Sequence, residues 1–590
     1  MTTDTQDPQT NDRQHTIYTV TASCQDCYRC VRACPVKAIR VTRGQAFVED
    51  TLCIKCGTCV RECPQQAKTI LSSLEAVKKL LAGERPVVAS VAPSFPAIFL
   101  GWRALRLPAA LRLLGFAHVA ETAEGADRVT EESFKNAPAG SVCTACPAVV
   151  NYIELYRPEY VDLLVPVVSP MVAHGKMLKA RYGSDCAVVF IGPCAAKKSE
   201  AKRPEHADSV DEVLTFSELL AWLDEEKIDL AACSESAFEA GAYNSLARLF
   251  PLQGGMLKTG NIACDGTEDA VLHLSGAEEV MELFSIPARD WRFRMVEPLF
   301  CRGGCINGPA FPRAKNIYQR RSAIIEYATK AVPQAIGERH HSVTHHPLIW
   351  HSPATQRDSV SLETVFTEDS AASLPEDMNE SQIDQVLKSM GKLDPDARLN
   401  CGACGYKSCT DNAVAILRGL AEPEMCMPYM RRLAQQRTDR VIETSPSGVV
   451  VLDSELNIIN MNPAFQKMFM CNNSILGRRI SYLVNADGYE KMLAGAMESY
   501  ESIRTKYGIK YHELLYTLRD EGQYVGTYTD ISQLKFDEGQ VDLIKRQTLE
   551  QAKELLDHQI AFSQEMAHYL GQSTARNEEF VRRLMSLYED

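Results

Sequence analysis

Cysteine is the residue type whose number and spacing point most directly to chemistry in this chain. The sequence holds 21 cysteines among 590 residues, and eight of them form two runs of the pattern CxxCxxCxxxCP between residues 24 and 63. Thiolates at this spacing suit iron–sulfur cubanes that take three ligands from one run and the fourth from the other, whereas zinc ribbons usually show separated CxxC pairs. The two predicted 4Fe-4S clusters are held by Cys24, Cys27, Cys30 and Cys63, and by Cys53, Cys56, Cys59 and Cys34.

These runs resemble the bacterial two-cluster ferredoxins and imply a ferredoxin-like domain at 17–75.

A later group of four cysteines has the pattern CxxCx4Cx16C, which suits either zinc or a cubane by spacing alone. Its wording, CGACGYKSCTDNAVAILRG, resembles the small helical 4Fe-4S domains of electron-transfer subunits and corrinoid proteins. The resemblance implies a 4Fe-4S domain at 395–432 whose ligands are Cys401, Cys404, Cys409 and Cys426.

Three short segments lie between these cysteine groups. In their order behind a two-cluster ferredoxin, they resemble the catalytic domain of iron-iron (FeFe) hydrogenases, and we assign this domain to 80–330. The wording SVAPSFPAIF from Ser90 and LGFAHVAETAEGAD from Leu114 also fits that family. The three segments are CTACPAV at 143–149, GPCAAKKSE at 192–200 and CRGGCINGP at 301–309.

The hydrogenase resemblance implies an H-cluster, a 4Fe-4S cubane joined through a cysteine sulfur to a diiron unit with carbonyl, cyanide and a bridging azadithiolate. It implies Cys305 as the bridging ligand and Lys197 as an ammonium donor to an iron-bound cyanide. Gly303 and Gly304 would leave room beside a bulky cofactor. The implied cubane ligands are Cys146, Cys194, Cys301 and Cys305.

The chain also departs from the hydrogen-producing members of that family, which usually read TSCCPAW. Their first cysteine relays protons, whereas Ala145 stands at this position and a methyl group carries no proton. Cys143 is out of register to replace it, and Gly192, Leu299 and Val149 stand where the family often has two methionines and a tryptophan. This pattern resembles the sensory hydrogenases, for which slow turnover is expected.

The C-terminal part begins with VIETSPSGVVVLDSELNIINMNPAFQKMF, in which Asn462 is a predicted helix cap. The segment resembles a PAS domain at 436–535 whose ligand the sequence does not specify, and His512 is predicted to be a core or solvated residue rather than a haem ligand. Helix-favouring residues predict a signalling or dimerisation helix at 536–590. The histidine-rich segment 331–394 is predicted to be a solvated linker, with a metal site as the alternative.

Composition limits the remaining choices. A net charge of −13 gives no general basic character for nucleic acid, and 45% hydrophobic with 24% charged residues is typical of globular proteins. The polar N-terminus lacks the apolar segment of a secretory signal, so residues 1–16 are predicted to be a disordered tail and the protein to be cytoplasmic. The apolar stretch around Pro93 and Pro96 is too short and too interrupted for a bilayer span. We therefore expect neither a nucleic-acid nor a membrane partner.

The expected fold class is a multi-domain α+β and α/β protein. It would comprise a two-cluster ferredoxin domain, an FeFe hydrogenase H-cluster domain, a small helical 4Fe-4S domain, a PAS domain and a C-terminal signalling helix. The expected cofactors are three 4Fe-4S clusters and the H-cluster. The second of these domains must bring together four cysteines that lie up to 159 residues apart in the chain, from Cys146 to Cys305.

The sequence favours a cytoplasmic sensory hydrogenase that slowly and reversibly splits dihydrogen, passes electrons through its clusters and signals through the PAS domain. Its expected partners are dihydrogen, protons, a ferredoxin-like redox protein, maturation factors, a separate phosphatase or kinase as effector, and a second copy in a homodimer. One alternative is a metabolic hydrogenase or electron-bifurcating component. The other is an iron–sulfur scaffold that lacks the diiron unit.

Overall fold

The computed structural model describes residues 15–532, apart from 139, 240–242, 263–270, 313–315, 331–359, 370–378, 496 and 519–521. The chain divides into two compact units, residues 1–430 and 431–590. Within the described residues, no helix has the length and apolar character needed to cross a membrane. The predicted signalling helix at 536–590 and nearly all of the predicted tail at 1–16 fall outside the described residues.

The ferredoxin-like module is built from very short elements. Its strands form two antiparallel pairs, β1 with β4 and β2 with β3, and its helices α1 and α2 each follow the first two cysteines of a run. The residues before these helices, Tyr28 and Gly57, have left-handed φ angles of 51° and 73°, which turn the chain sharply. The elements are β1 (Ile17–Thr19), α1 (Arg29–Ala33), β2 (Ile39–Thr42), β3 (Gln45–Val48), α2 (Thr58–Glu62) and β4 (Lys68–Ile70).

Two parallel sheets form the centre of the next domain. One has the strand order β6-β5-β8-β9 and the other has the order β10-β11-β7. The sequences of β5 and β8, VVASV and AVVFIG, are buried along their whole length, as expected of parallel strands covered on both faces. The strands are β5 (Val87–Val91), β6 (His118–Glu121), β7 (Ser141–Val142), β8 (Ala187–Gly192), β9 (Glu212–Thr215), β10 (Val271–Ser275) and β11 (Met295–Leu299).

Helices of this domain share its largest apolar core with the four-stranded sheet. Two of them begin with proline at the first helical position, where no N–H is needed, and a third is capped by a reciprocal Thr215–Glu218 pair. The helices are α3 (Leu74–Leu81), α4 (Trp102–Leu113), α5 (Ala123–Asn136), α6 (Pro147–Tyr156), α7 (Pro170–Tyr182), α8 (Ala196–Glu200), α9 (Phe216–Glu225), α10 (Gly255–Thr259), α11 (Ala277–Leu283) and α12 (Ile317–Lys330).

The described parts of the predicted linker 331–394 differ from the expectation of a solvated connection. Residues Glu380–Ser389 form helix α13, which is capped at Asn379 and packs its Leu387 against the helix that carries Cys409. The apolar residues of α13 recur at helical spacing, which is the signal that the linker prediction overlooked. The small cysteine module therefore begins before residue 395 and contains α13, α14 (Cys409–Leu417) and the start of α15 (Met427–Thr444).

This cysteine module packs on the ferredoxin-like module, although in the chain it comes after the domain that contains the two parallel sheets. Lys37 Nζ donates to the carbonyl of Gly405 at 2.8 Å, and Arg32 donates to the carbonyl of Ala403 at 3.0 Å. The Glu422 carboxylate accepts from the N–H groups of Arg43 and Gly44. Apolar side chains of both modules share one core. The contact therefore joins segments that lie about 370 residues apart in the chain.

The second unit contains a five-stranded antiparallel sheet with the order β13-β12-β16-β15-β14. Asn462 caps the first helix by accepting from the N–H of Phe465 at 2.9 Å, as predicted. His512 Nε2 lies 2.6 Å from a carboxylate oxygen of Glu501. The elements are β12 (Gly448–Leu452), β13 (Ile458–Met461), α16 (Pro463–Met468), α17 (Asp487–Leu493), β14 (Ser499–Lys506), β15 (Ile509–Leu518) and β16 (Gln523–Asp530).

Substitution of Gly405 tests the contact between the cysteine module and the ferredoxin-like module. Gly405 has a φ of +98°, and an added Cβ would lie 2.8 Å from Val31 Cγ1. Gly419 is the matched control, because its φ of +68° carries similar strain but its Cβ would meet nothing within 4 Å. We expect Gly405→Ala to lower the unfolding free energy by about 1–3 kcal/mol more than Gly419→Ala does, because of crowding. Equal losses in calorimetric unfolding would contradict the contact.

Candidate metal centre

Three strand ends and one turn bring four distant thiols to a common cavity. Cys146, Cys194 and Cys301 follow the carboxyl ends of β7, β8 and β11, and Cys305 begins a short 3-10 turn. All four line a cavity with an empty volume of about 860 Å³, including its open mouth. The carboxyl ends of parallel strands are the usual position of binding sites in α/β sheets. The structure thus brings together the four cysteines that the sequence predicts as cubane ligands.

The thiols of this set share one low-dielectric space. Burial raises the pKa of Cys194 to about 12, and the neighbouring Cys146 raises it further. Burial also raises the pKa of Cys301 and Cys305, and each is raised further by the other thiols of the set. Thiolates that repel one another in an apolar pocket need a compensating cation, and a polynuclear iron cluster supplies such charge. The donor set therefore fits an iron–sulfur cluster.

The two glycines between Cys301 and Cys305 lie in left-handed backbone conformations and close to other protein atoms. Their φ angles are +76° at Gly303 and +94° at Gly304. A Cβ on Gly304 would lie 2.3 Å from the carbonyl oxygen of Pro251, and one on Gly303 would lie 2.4 Å from Ile317 Cδ1. These glycines are therefore required by the turn and by neighbouring protein atoms.

Two polar groups in the cavity wall fit an anionic ligand on iron. Lys197 is buried, with Nζ 2.7 Å from Glu200 Oε2 and 3.5 Å from the carbonyl oxygen of Ala145. Ser94 Oγ is buried in the wall and has no hydrogen-bond partner among the residues that the structure describes. An orphaned buried hydroxyl costs free energy unless a ligand satisfies it. The ammonium and the hydroxyl are therefore suitable donors to the iron-bound cyanides of an H-cluster.

The positions that depart from the hydrogen-producing pattern have different surroundings. Ala145 and Leu299 line the cavity, whereas Gly192 and Val149 do not. A Cβ on Gly192 would lie 2.5 Å from the ring of Phe190, which lines the cavity itself. The wall at Ala145 thus presents a methyl group, which supplies neither a proton donor nor an acceptor.

Glu297 is a buried carboxyl group in β11 that belongs to none of the sequence motifs. It accepts from the N–H groups of Met256 and Leu257 at the start of α10. Burial raises its pKa to about 8 despite these donors, and its charge acts on the buried Cys143 thiol. The signal in the sequence was a single acidic residue inside the apolar run MVEPLF. Ser94 was overlooked in the same way, inside a segment quoted only for its family resemblance.

The eight ferredoxin-like cysteines fall into the two predicted sets. Burial raises the pKa of Cys30, and the other three thiols of its set, Cys24, Cys27 and Cys63, raise it further. The second set behaves in the same way. Burial raises the pKa of Cys34 to about 12 and that of Cys53 to about 11, and thiols within the set add to these effects. The structure thus groups Cys24, Cys27, Cys30 and Cys63, and separately Cys53, Cys56, Cys59 and Cys34.

Electrostatic interactions relate the second ferredoxin-like thiol set to two other thiol sets. Cys56 lines the large cavity and interacts electrostatically with Cys146 and Cys301. The thiols of Cys34, from the same set, and of Cys404, from the small cysteine module, both raise the pKa of the buried Tyr406 hydroxyl. The second ferredoxin-like set therefore lies next to both the cavity and the cysteine module.

The four cysteines of the small module line a smaller pocket of about 280 Å³, including its open mouth. Lys392 Nζ lies 3.1 Å from Cys409 Sγ and interacts with Cys426 as well. In the parts of the chain that the structure describes, no three His, Cys, Asp or Glu side chains are grouped to hold a single metal ion. The histidines at 340–351 fall outside those parts.

Comparison with known families agrees with this arrangement. Residues 85–309 match the C-terminal domain of the iron-only hydrogenase large subunit, and residues 23–68 match a 4Fe-4S dicluster domain. Residues 397–428 match an Fe-S cluster family, and residues 436–501 match a PAS domain. The protein thus contains an FeFe hydrogenase large-subunit domain, iron–sulfur domains and a PAS domain, which confirms the predicted kinds of domain.

Three curated relatives illustrate the similarity. The NADP-reducing hydrogenase subunit HndD of Solidesulfovibrio fructosivorans is 26% identical over 41% of this chain and 54% of that protein. The periplasmic Fe hydrogenase large subunit of Nitratidesulfovibrio vulgaris is 27% identical over 52% of this chain and 89% of that protein. A cytosolic Fe-S cluster assembly factor of Eremothecium gossypii is 34% identical over 21% of this chain and 26% of that protein. The chain spans about half the length of the first relative.

Proposed function

We propose that the protein is a sensory FeFe hydrogenase that splits dihydrogen slowly and reversibly into protons and electrons. The observation that carries this proposal is the cavity wall, where four thiols, the Lys197 ammonium and the unpaired Ser94 hydroxyl face one space. An H-cluster bound there would supply the iron chemistry that cleaves dihydrogen. An iron–sulfur scaffold would need the thiols but would have no use for the two donors.

The residues of the cavity have distinct tasks in this proposal. Cys146, Cys194, Cys301 and Cys305 would hold the cubane, and the Cys305 thiolate would also serve as a ligand of the diiron unit. Lys197 and Ser94 would donate hydrogen bonds to the cyanide ligands, and such bonds are strong in a site with an apolar wall. Phe190, Phe250 and prolines of the wall exclude water. Slow turnover follows from the methyl group of Ala145 at the position of the proton-relay thiol.

The proposed electron route follows the thiol sets. Electrons would leave the cavity through a cluster held by Cys53, Cys56, Cys59 and Cys34, because Cys56 lines the same cavity as Cys146 and interacts with it electrostatically. From there the route branches to the other ferredoxin-like cluster and to the cluster of Cys401, Cys404, Cys409 and Cys426. Lys37 supports the second branch, because its ammonium is close to both Cys34 and Cys404 and holds the Gly405 carbonyl.

Signalling is proposed to follow from the redox state of the Cys401 cluster. Cys426 is followed at once by α15, the helix that contains the boundary between the two units. A change in charge at that cluster would bias a two-state arrangement of the PAS domain. The proposed partners are a ferredoxin-like redox protein, maturation factors, a separate phosphatase or kinase and a second copy of the chain, all in the cytoplasm.

Exposure to dihydrogen tests the proposal. In protein matured with hydrogenase maturation factors, we expect dihydrogen to reduce the iron–sulfur clusters, as measured by electron paramagnetic resonance. We also expect altered hydrogen exchange in residues 436–590. The control is the same protein produced without maturation factors, in which neither change should occur. Clusters that stay oxidised under dihydrogen, although a chemical reductant reduces them, would overturn the proposed hydrogenase activity. Reduced clusters with unchanged exchange would overturn the sensory role alone.

Restoring a thiol at Ala145 tests the cause of slow turnover. A positioned proton donor contributes about 100-fold or more to a proton-transfer step, so Ala145→Cys should raise dihydrogen turnover by up to about that factor. The control is Ala126→Cys, which places a thiol elsewhere in the cavity wall and should leave the rate low. If the two variants turn over no faster than the unaltered protein, proton transfer at this position does not limit the rate.

A further inference from the structure

A row of three buried polar side chains leads away from the cavity wall. Thr122 lines the cavity, and its Oγ1 lies 2.8 Å from Ser90 Oγ. Ser90 Oγ lies 2.7 Å from His174 Nδ1. None of the three residues is more than 2% exposed. The hydrogen-bonded row therefore begins at the proposed reaction site and ends at an imidazole in the protein interior.

The other ring nitrogen of His174 is directed towards the ion pair of Glu124 and Arg181. His174 Nε2 lies 3.7 Å from Glu124 Oε2, which is ion-pair distance but beyond a direct hydrogen bond. Glu124 accepts from both terminal nitrogens of Arg181, whose side chain is 25% exposed. Burial alone would raise the pKa of Glu124, but His174 and Arg181 outweigh it and lower the pKa to about 2. Beyond His174 the row thus meets a buried carboxylate, and the partly exposed Arg181 side chain links that carboxylate to solvent.

The fold fixes this row through close backbone approaches. Ser90 lies on β5, which pairs in parallel with β6, and Thr122 follows the end of β6 directly. Helix α5 carries Glu124 and Gly125 and packs against α7, which carries His174. A Cβ on Gly125 would lie 2.5 Å from the carbonyl oxygen of Pro170 and 2.7 Å from His174 Cβ. The absent side chain lets the two helices approach until the imidazole reaches Ser90.

The chemistry of these groups suits proton transfer. A hydroxyl group both donates and accepts a hydrogen bond, and a neutral imidazole donates from one nitrogen and accepts at the other. The Glu124 carboxylate favours the tautomer with its proton on Nε2. In that tautomer Nδ1 accepts from Ser90, and Ser90 accepts from Thr122, so donation runs from the cavity outwards.

We propose that Thr122, Ser90 and His174 form a proton relay between the cavity and solvent that is slower than a relay through the thiol that is absent at Ala145. The inference rests on the proposed hydrogenase function. The relay moves one proton without oxidising or reducing any residue. Thr122 Oγ1 takes a proton from the cavity and passes its own to Ser90, Ser90 passes its own to His174 Nδ1, and Nε2 releases its proton towards Glu124 and solvent.

After such a transfer, each hydroxyl again holds one proton, and the neutral imidazole holds it on the other nitrogen. Rotation of the two hydroxyls and return of the imidazole proton from Nδ1 to Nε2 restore the starting state. Transfer in the opposite direction uses the same steps in reverse. The relay therefore serves both the splitting and the formation of dihydrogen.

The test uses a readout that does not depend on turnover. In the matured full-length protein, light-triggered reduction is followed by the shift of the infrared carbonyl and cyanide bands, and its proton-coupled phase is timed in H2O and D2O. Thr122→Val keeps the shape of the side chain and leaves the Ser90–His174 pair in place. We expect this variant to slow the proton-coupled phase by about 100-fold. His174→Gln, as a second variant, should slow it similarly, and Thr122→Ser should restore the rate.

Thr130 provides the matched control. It is fully buried on the same helix as Glu124, and its hydroxyl donates at 2.8 Å to the carbonyl of Ala126 within that helix. Thr130→Val should leave the proton-coupled phase unchanged. Unaltered kinetics in both Thr122→Val and His174→Gln, with the bands of the parent protein, would overturn the relay while leaving the proposed function intact. Absence of the bands from the parent protein would overturn the proposed function and the relay with it.

Discussion

The burial of thiol groups is the constraint on which the rest of the first unit depends. Cys194, Cys301 and Cys305 lie in an apolar cavity, where burial raises the pKa of each thiol. Thiolates in such a place are costly without a compensating cation, so cluster binding and the folding of this region are one equilibrium. Three parallel strand ends meet the requirement for fixed ligands, because a sheet buried on both faces allows its ends little movement.

The same constraint explains the arrangement of the modules. The ferredoxin-like elements are three to five residues long, which is too short to form a large core of their own. They pack against the cavity domain on one side, where a Cβ on Gly57 would lie 2.5 Å from Pro309. On the other side they share an apolar core with the small cysteine module. Adjacent thiol sets are therefore a consequence of how small modules bury their thiols, and the proposed branched electron route rests on that adjacency.

The spacing of the cysteines predicted how the eight ferredoxin-like thiols group, because cluster ligands must occur at fixed intervals. Resemblance to known families predicted the hydrogenase, small 4Fe-4S and PAS domains. Features made by distant contacts were not predictable in this way. Gly304 is required by the carbonyl of Pro251, and Thr122 meets Ser90 and His174 only once the sheet has formed. Helix α13 was overlooked because its few apolar residues lie beside a long polar segment. The position of the cysteine module was also hidden, since order along the chain does not specify contact in space.

The central claim is that the cavity holds a diiron unit and not a cubane alone. Infrared spectroscopy of the full-length protein tests it most directly, because iron-bound carbonyl and cyanide absorb where protein groups do not. The account predicts these bands in protein produced with hydrogenase maturation factors and their loss when the factors are omitted. Iron–sulfur clusters present in full, with no carbonyl or cyanide bands after maturation, would contradict it.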